Sequence, residues 1–372
     1  MVNSKLRILI AGGGTGGHIL PALAVARALQ EQHSAEVLLV GTSRGMESRL
    51  VPAAGFPLRR IEIGPLNSVS LATRLRTLAR LPASLFECKR ILEEFQPGAV
   101  LGVGGYASGP LMLAALWRKI PAMVYEPNAM PGFANRIVGR WVQCAAIHFD
   151  AAARWFANAE VTGVPVRPEF FSLAAPQGPP HLLIFGGSLG ARIFNLQLPK
   201  VMPALLDSVP GLTVLHQCGE RHLETTLAAY TASGADPARW QVRPFLDGMA
   251  AEFSRAHLIL SRSGATTVAE EAAAGKPAVL IPFAAATDDH QRRNAQAMVA
   301  AGAAVMLEEH ELETSDRLLE VLTGLLKDPQ RLAAMSTAAR TQAHPGAAEC
   351  IASRLAAMAG KPSCERGEMH SL

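Results

Sequence analysis

The stretch Gly12-Gly13-Gly14-Thr15-Gly16-Gly17-His18 brings two chemistries into seven residues. Glycines, lacking Cβ, let backbone N–H groups come close to a phosphate or an oxyanion. His18 adds the side chain best suited to moving a proton near neutral pH. Two more glycine stretches, Gly104-Gly105-Tyr106-Ala107-Ser108-Gly109-Pro110 and Gly186-Gly187-Ser188-Leu189-Gly190-Ala191-Arg192, recur down the chain. Ser261-Arg262-Ser263-Gly264-Ala265-Thr266-Thr267 opens a helical pattern with hydroxyls and N–H groups that suit a diphosphate. A Ser or Thr helix cap explains one of those hydroxyls, not the run with Arg262. Glu270, about one turn further on, can reach a ribose diol, although a plain surface glutamate has the same pattern. Glu126 and Asn128 follow an apolar run, where a carboxylate also commonly caps a helix or sits in a solvated loop.

The elements that must position these residues alternate between strand and helix. Leu6–Ala11 is a short apolar run of buried-strand character, and Ile19, Leu23, Ala26 and Leu29 follow at helical spacing, with Pro21 tolerated in the first turn. Strand patterns recur at Glu36–Val40, Ile61–Ile63, Ala99–Val103 and Pro121–Tyr125. A second series runs through Leu182–Phe185, Leu212–Gln217, Gln241–Phe245, Leu258–Leu260 and Ala278–Pro282, and helical patterning closes the chain from Leu312 to Leu355. Leu173–Pro180, rich in Ala and Pro, reads as a linker. Each half thus opens on strand, glycine loop and helix, as in two α/β domains of similar plan with a cleft between them. In open parallel sheets ligands bind beyond the carboxyl ends of the strands, where His18, Tyr106, Ser108, Glu126 and Asn128 all fall. Gly12, Gly14 and Gly17 satisfy G-x-G-x-x-G, but Glu36–Val40 runs into Gly41-Thr42-Ser43 without the acid a nicotinamide ribose requires, which argues against a dinucleotide oxidoreductase.

The 372 residues suffice for two full cores, and 49% hydrophobic with 18% charged residues is a globular composition. A net charge of +4 without basic runs gives no nucleic-acid footprint. Five scattered cysteines without C-x-x-C spacing point to neither a disulfide framework nor structural zinc, and to a reducing compartment. No apolar run is long enough to span a bilayer, so membrane contact would be peripheral. Arg74, Arg76, Arg80, Lys89 and Arg90 interleave with Leu71, Leu75, Leu78, Leu81 and Leu85, a pattern that fits a helix on an anionic membrane and equally an ordinary surface helix. The polar end, 361–372, is expected to be disordered.

Seven ordered segments carry a more specific signal: GGGTGGHILPALA (12–24), GGYASGP (104–110), EPNAMPGFANR (126–136), TGVPVR (162–167), GGSLGARIFN (186–195), SRSGATTVAEEAAAGKP (261–277) and DDHQRRNA (288–295). Together they resemble the MurG family of bacterial undecaprenyl-diphospho-muramoylpentapeptide N-acetylglucosaminyltransferases. The resemblance implies a GT-B fold, two Rossmann-like domains with parallel sheets facing across a cleft. Residues 1–166 would take the acceptor and face the membrane, joined by a C-terminal helix near 344–360, and 167–343 would bind UDP-GlcNAc. It implies inverting transfer of GlcNAc from UDP-GlcNAc to the C4 hydroxyl of MurNAc in lipid I, giving lipid II. It further implies no cofactor, no required divalent cation, a peripheral place on the cytoplasmic face of the cell membrane and association with other cell-wall synthesis proteins.

By position the resemblance assigns the UDP-sugar to Arg167, Ser188, Leu246 (through its backbone, at the uracil), Arg262, Ser263, Gly264, Ala265, Thr266, Thr267, Val268, Ala269, Glu270, Gln291 and Asn294, with Thr15, Gly16, Gly17 and Asn128 contributed by the other domain. The acceptor falls to Gly13, Gly14, Gly104, Gly105, Tyr106 and Ser108. An inverting transfer needs a base, and His18 is the first candidate and Glu126 the second; an electrostatic role for His18 beside the lipid diphosphate is the alternative. Tyr125 and Pro127 stand where the family usually has His and Gln, and Val164 where Asn is common, differences that bear on the acceptor loop rather than on the reaction class. A UDP-GlcNAc 2-epimerase shares the two-domain plan without needing the basic helix or the GGYASGP loop. A non-catalytic nucleotide-sugar binding protein would bind without turnover.

Overall fold

The structure, a computed structural model, describes residues 5–14, 16–43, 45–64 and 70–360, with the backbone alone at 71–76, 78, 287 and 315. Thr15, the tail 361–372 and the side chains of Leu71, Arg74, Leu75, Arg76 and Leu78 lie outside the described residues.

The chain forms two units. The first runs to Pro165 and takes up the chain again from Gly346, and the second is Val166–Pro345. Unit 1 contains β1 (Arg7–Gly12), α1 (Gly16–His33), β2 (Glu36–Gly41), α2 (Glu47–Ala53), β3 (Leu58–Arg60), α3 (Leu71–Phe95), β4 (Ala99–Gly104), α4 (Ser108–Trp117), β5 (Ala122–Glu126), α5 (Phe133–Val138), β6 (Cys144–Ile147) and β7 (Ala159–Val161). Its strands form one parallel sheet in the order β3-β2-β1-β4-β5-β6-β7. Helices cover both faces, so the strands are apolar on both. Ile8 and Ile10 pack with Ile19, Leu23 and Leu29 on one side, while Leu9 and Ala11 pack with Leu92 and Leu111 on the other.

Unit 2 contains β8 (His181–Phe185), α6 (Arg192–Ser208), β9 (Thr213–Gln217), α7 (Leu223–Ala232), β10 (Trp240–Arg243), α8 (Met249–Arg255), β11 (Leu258–Ser261), α9 (Ala265–Ala274), β12 (Ala278–Leu280), α10 (His290–Ala300), β13 (Ala304–Met306), α11 (Ser315–Leu326) and α12 (Pro329–Thr341). The parallel order is β10-β9-β8-β11-β12-β13. The last helix, α13 (Ala347–Ala359), returns to unit 1, where Ile351, Ala352 and Leu355 join the core on the α1 side.

Both sheets reverse their strand order once, between β1 and β4 and between β8 and β11. Loops leaving the carboxyl ends of those strand pairs diverge, which opens a ligand crevice there. The glycine and serine stretches singled out by sequence are these four loops.

Two local expectations are corrected. The strand expected at Ile61–Ile63 lies at Leu58–Arg60, in register with Leu39–Gly41. The Ile61 N–H still donates to the Gly41 carbonyl, at 2.9 Å, and Ile61 is buried, which gives it a strand-like signature just past the strand. The Ala/Pro-rich stretch 173–180 is not the link between units: it belongs to unit 2, where Arg340 donates to the Leu173 carbonyl at 3.2 Å.

Candidate functional site

In unit 1 the loops after β1 and β4 meet backbone to backbone. The Gly13 N–H donates to the Gly104 carbonyl at 3.3 Å. Gly105 has φ +80°, and a Cβ on it would lie 2.3 Å from the Gly13 carbonyl oxygen, so only glycine allows the contact. His18 Nδ1 lies 3.2 Å from the Gly13 oxygen. A carbonyl can only accept, so this contact assigns the proton to Nδ1 and makes Nε2 the basic nitrogen of the neutral ring. The half-buried imidazole turns that nitrogen over Gly104, 3.0 Å from where a Cβ there would sit. The structure thus places Gly13, Gly104, Gly105 and His18 side by side.

Several expected roles change. The Gly13 N–H is spent on Gly104, and the Gly14 N–H donates to Glu47 Oε2 at 2.7 Å, so neither amide is left for an acceptor diphosphate. Gly16 and Gly17 open α1, where first-turn N–H groups have no intrahelical partner, and both reach solvent. Tyr106 is exposed, but Ser108 is buried, with its hydroxyl against Gly102 beneath α4. Glu126, expected as the second candidate base, instead fastens its own loop. Oε1 accepts from the Asn128 N–H at 3.0 Å and from its side-chain amide at 3.1 Å, while Oε2 accepts from the Gly132 N–H and the Asn135 amide, both at 2.9 Å. Burial raises its pKa, and these four donors counter part of that rise.

Glu47 went unnoticed in the sequence. It is fully buried, and beside Gly14 its carboxylate accepts the Thr42 N–H at 2.8 Å and the Thr42 hydroxyl at 2.9 Å. Burial opposes its charge, yet the donors outweigh that and hold its pKa below the usual glutamate value. Its partners lie 5 and 33 residues away, and the nearby signal was Gly41 and Gly45 on either side of Thr42.

In unit 2 the loop after β8 exposes Ser188 and Leu189, and the loop after β11 leads through Gly264 into α9. The first-turn amides of α9, at Ala265, Thr266 and Thr267, are helix N-terminal donors, and Thr266 and Thr267 reach the surface. Val268 and Ala269 are buried, with the Val268 N–H closing the first turn onto the Gly264 carbonyl at 3.0 Å, so neither presents a ligand group.

Arg262 does not face that helix end. Its guanidinium donates to the Ile281 and Pro282 carbonyls, both at 3.1 Å, pairs with Glu309 and lies over the rings of Phe194 and Phe283. The expected diphosphate arginine is thus a brace between loops, held by an acid 47 residues away. Ser263 and Asn294 are likewise inward: the Ser263 hydroxyl donates to the Gln291 carbonyl at 2.8 Å, and the Asn294 amide donates to the Ser263 carbonyl at 3.1 Å. Gln291 is partly exposed, with Oε1 accepting the Phe283 N–H at 2.9 Å. These contacts anchor α10 to the start of α9.

Glu270 and Arg167 are brought together, with Arg167 Nη2 3.9 Å from Glu270 Oε1. Arg167 also pairs with Glu169 at 3.0 Å and stacks over Phe170. Burial pushes the Glu270 carboxyl up to about 7, countered by Arg167 and reinforced by Glu169. Its neighbour Glu271 is raised further, to about 8, by burial; the Ser261 hydroxyl donates to it at 2.7 Å. The Leu246 side chain packs among Phe170, Phe185 and Phe253, so a ligand would meet that residue through its backbone.

Two parallel doubly wound units, each with glycine-rich loops at its switch point, form a GT-B fold, shared with the crystal structure of Acinetobacter baumannii MurG. That structure is 34% identical, with a TM-score of 0.81 over 94% of this chain and 99% of its own. Residues 8–147 match the glycosyltransferase family 28 N-terminal domain and residues 181–351 the family 28 C-terminal domain. The chain belongs to glycosyltransferase family 28 and, within it, to the MurG family. A Solibacter usitatus protein named UDP-N-acetylglucosamine–N-acetylmuramyl-(pentapeptide) pyrophosphoryl-undecaprenol N-acetylglucosamine transferase is 44% identical over 92% of this chain and 93% of its own. A protein of the same name from Syntrophotalea carbinolica is 43% identical over 93% of this chain and 97% of its own.

Proposed function

We propose that this glycosyltransferase moves GlcNAc from UDP-GlcNAc to the C4 hydroxyl of MurNAc in undecaprenyl-diphospho-MurNAc-pentapeptide, inverting the anomeric centre. The observation that carries this reading is the full-length similarity to transferases named for that reaction. The geometry of the two units supports this reading. His18 Nε2 takes the proton from the C4 hydroxyl as the oxygen attacks C1 of the donor sugar. The bond from C1 to the diphosphate oxygen breaks on the opposite face, and UDP leaves with the electron pair. The N-terminal amides and dipole of α9 favour the charge that builds on the leaving diphosphate. Glu270 receives the ribose hydroxyls and the Leu246 backbone reads the uracil. Gly16 and Gly17, which the resemblance assigns to the UDP-sugar, offer first-turn amides of α1 to a diphosphate. No helix among the described residues is long and apolar enough to cross a membrane. Phe86 (70% exposed), Trp117 (84%) and Trp141 (65%) stand out on unit 1, and exposed aromatic side chains of this kind support peripheral binding to the cytoplasmic leaflet.

Incubation with UDP-GlcNAc and a short-chain analogue of the lipid acceptor tests the reading. The expected product is a β-linked disaccharide on the lipid. UDP-ManNAc, or UDP and ManNAc where water also cleaves the anomeric bond, would mark an epimerase, and donor binding without product would mark a binding protein.

A further inference from the structure

The glycine loop of unit 1 is built around a buried anion of the chain's own. Glu47 holds the Gly14 N–H at 2.7 Å with one carboxylate oxygen and both Thr42 donors with the other, at 2.8 and 2.9 Å. The surrounding chain is cut to fit it. A Cβ on Gly13 would lie 2.3 Å from the Glu47 carboxyl carbon, on Gly41 2.4 Å from its Cγ, and on Gly45 2.0 Å from its Oε2. Three glycines from two loops thus leave room for one side chain that never reaches solvent. The peptide unit that Glu47 grips at Gly14 N–H is the one whose carbonyl belongs to Gly13, and that carbonyl accepts from His18 Nδ1 at 3.2 Å.

We infer that Glu47 is a positioning residue for His18: its carboxylate orients the Gly13–Gly14 peptide, and that peptide fixes the imidazole tautomer that leaves Nε2 basic. This rests on the proposed transfer with His18 as base. Peptide planarity makes the coupling direct, because rotating the Gly14 N–H swings the Gly13 oxygen by the same angle. All the Glu47 partners named here are donors, which a carboxylate satisfies and an amide does not. The depressed pKa of Glu47 agrees with an anion kept charged by its donors. Outer partners that orient a metal-bound histidine are commonly worth about 10–100-fold in activity, and the same scale is expected for a histidine that acts as a base.

The test is a double-mutant cycle of Glu47→Gln with His18→Ala in the lipid-acceptor transfer assay, with Thr42→Ala, which keeps the N–H donor, as a milder variant in case Glu47→Gln unfolds. Glu47→Gln is expected to lower kcat about 10–100-fold with KM for UDP-GlcNAc unchanged, and the double variant to be no slower than His18→Ala alone. Nitrogen NMR of histidine-labelled protein is expected to show His18 as the Nδ1–H form in the native chain and a mixed signal in either Glu47→Gln or Thr42→Ala. Unchanged kcat in Glu47→Gln, multiplicative losses in the double variant, or an unaltered His18 signal would overturn the inference while leaving the transferase reading intact. Absence of transfer by the native chain would overturn both.

Discussion

Replacing Glu126 by glutamine separates a base from a loop fastener. The carboxylate takes four N–H donors, two on each oxygen. Glutamine retains one oxygen for two of them and turns its own NH2 toward the other two. Two charge-assisted hydrogen bonds at about 1.5–3 kcal/mol each are lost, a destabilisation of about 3–6 kcal/mol. For a domain of this size each kcal/mol moves Tm by about 2–4 °C, so the unit 1 transition is expected to fall by about 6–24 °C. Scanning calorimetry of the native and Glu126→Gln chains measures that shift. Turnover at low temperature is expected to fall far less than the roughly hundredfold or greater loss that follows removal of a base. An unchanged Tm with a loss of that size would refute the reasoning and return Glu126 to the role of base.

The remaining expectations concern unit 2 and the leaving group. Glu270 is raised from 4.5 to about 7, so it ionises only near neutrality. KM for UDP-GlcNAc is expected to rise as pH falls from 8 to 6, and Glu270→Gln to flatten that dependence; a profile identical in the two proteins would exclude a direct ribose contact. Burial lowers His181 to about 4 and His216 to about 3, from 6.5. The folded unit resists their protonation, so the stability from their neutral forms is full above pH 6.5 and is lost as pH falls through 4 toward 3. Urea midpoints for unit 2 across that range check the sign, and constant midpoints would contradict it. In the proposed mechanism the amides of α9 receive the departing charge, so EDTA is expected to leave turnover unchanged; loss of turnover restored by Mg2+ would contradict that role.

The sequence made the alternation of elements and the strand-end loops legible because both are local patterns. Apolar runs followed by glycines mark β1, β4 and β8 without reference to the rest of the chain. What it hid were pairings distant in sequence. Arg262 read as an anion ligand beside four hydroxyls, but its partner Glu309 lies two helices and two strands further on. Glu47 went unnoticed because the amide it serves lies before α1. Ser108 sits in a glycine-rich loop motif, yet the start of α4 turns it inward. Ile61 carried the apolar alternation of a strand while belonging to the turn that follows one.

The central claim is that His18 activates the acceptor while unit 2 holds the donor. The direct measurement is kcat for transfer to the lipid-acceptor analogue by His18→Ala, paired with calorimetric binding of UDP-GlcNAc to the same protein. A fall in kcat of about a hundred- to ten-thousandfold with donor affinity unchanged is the expected result. Near-native turnover in His18→Ala, or a loss explained entirely by weaker donor binding, would contradict it.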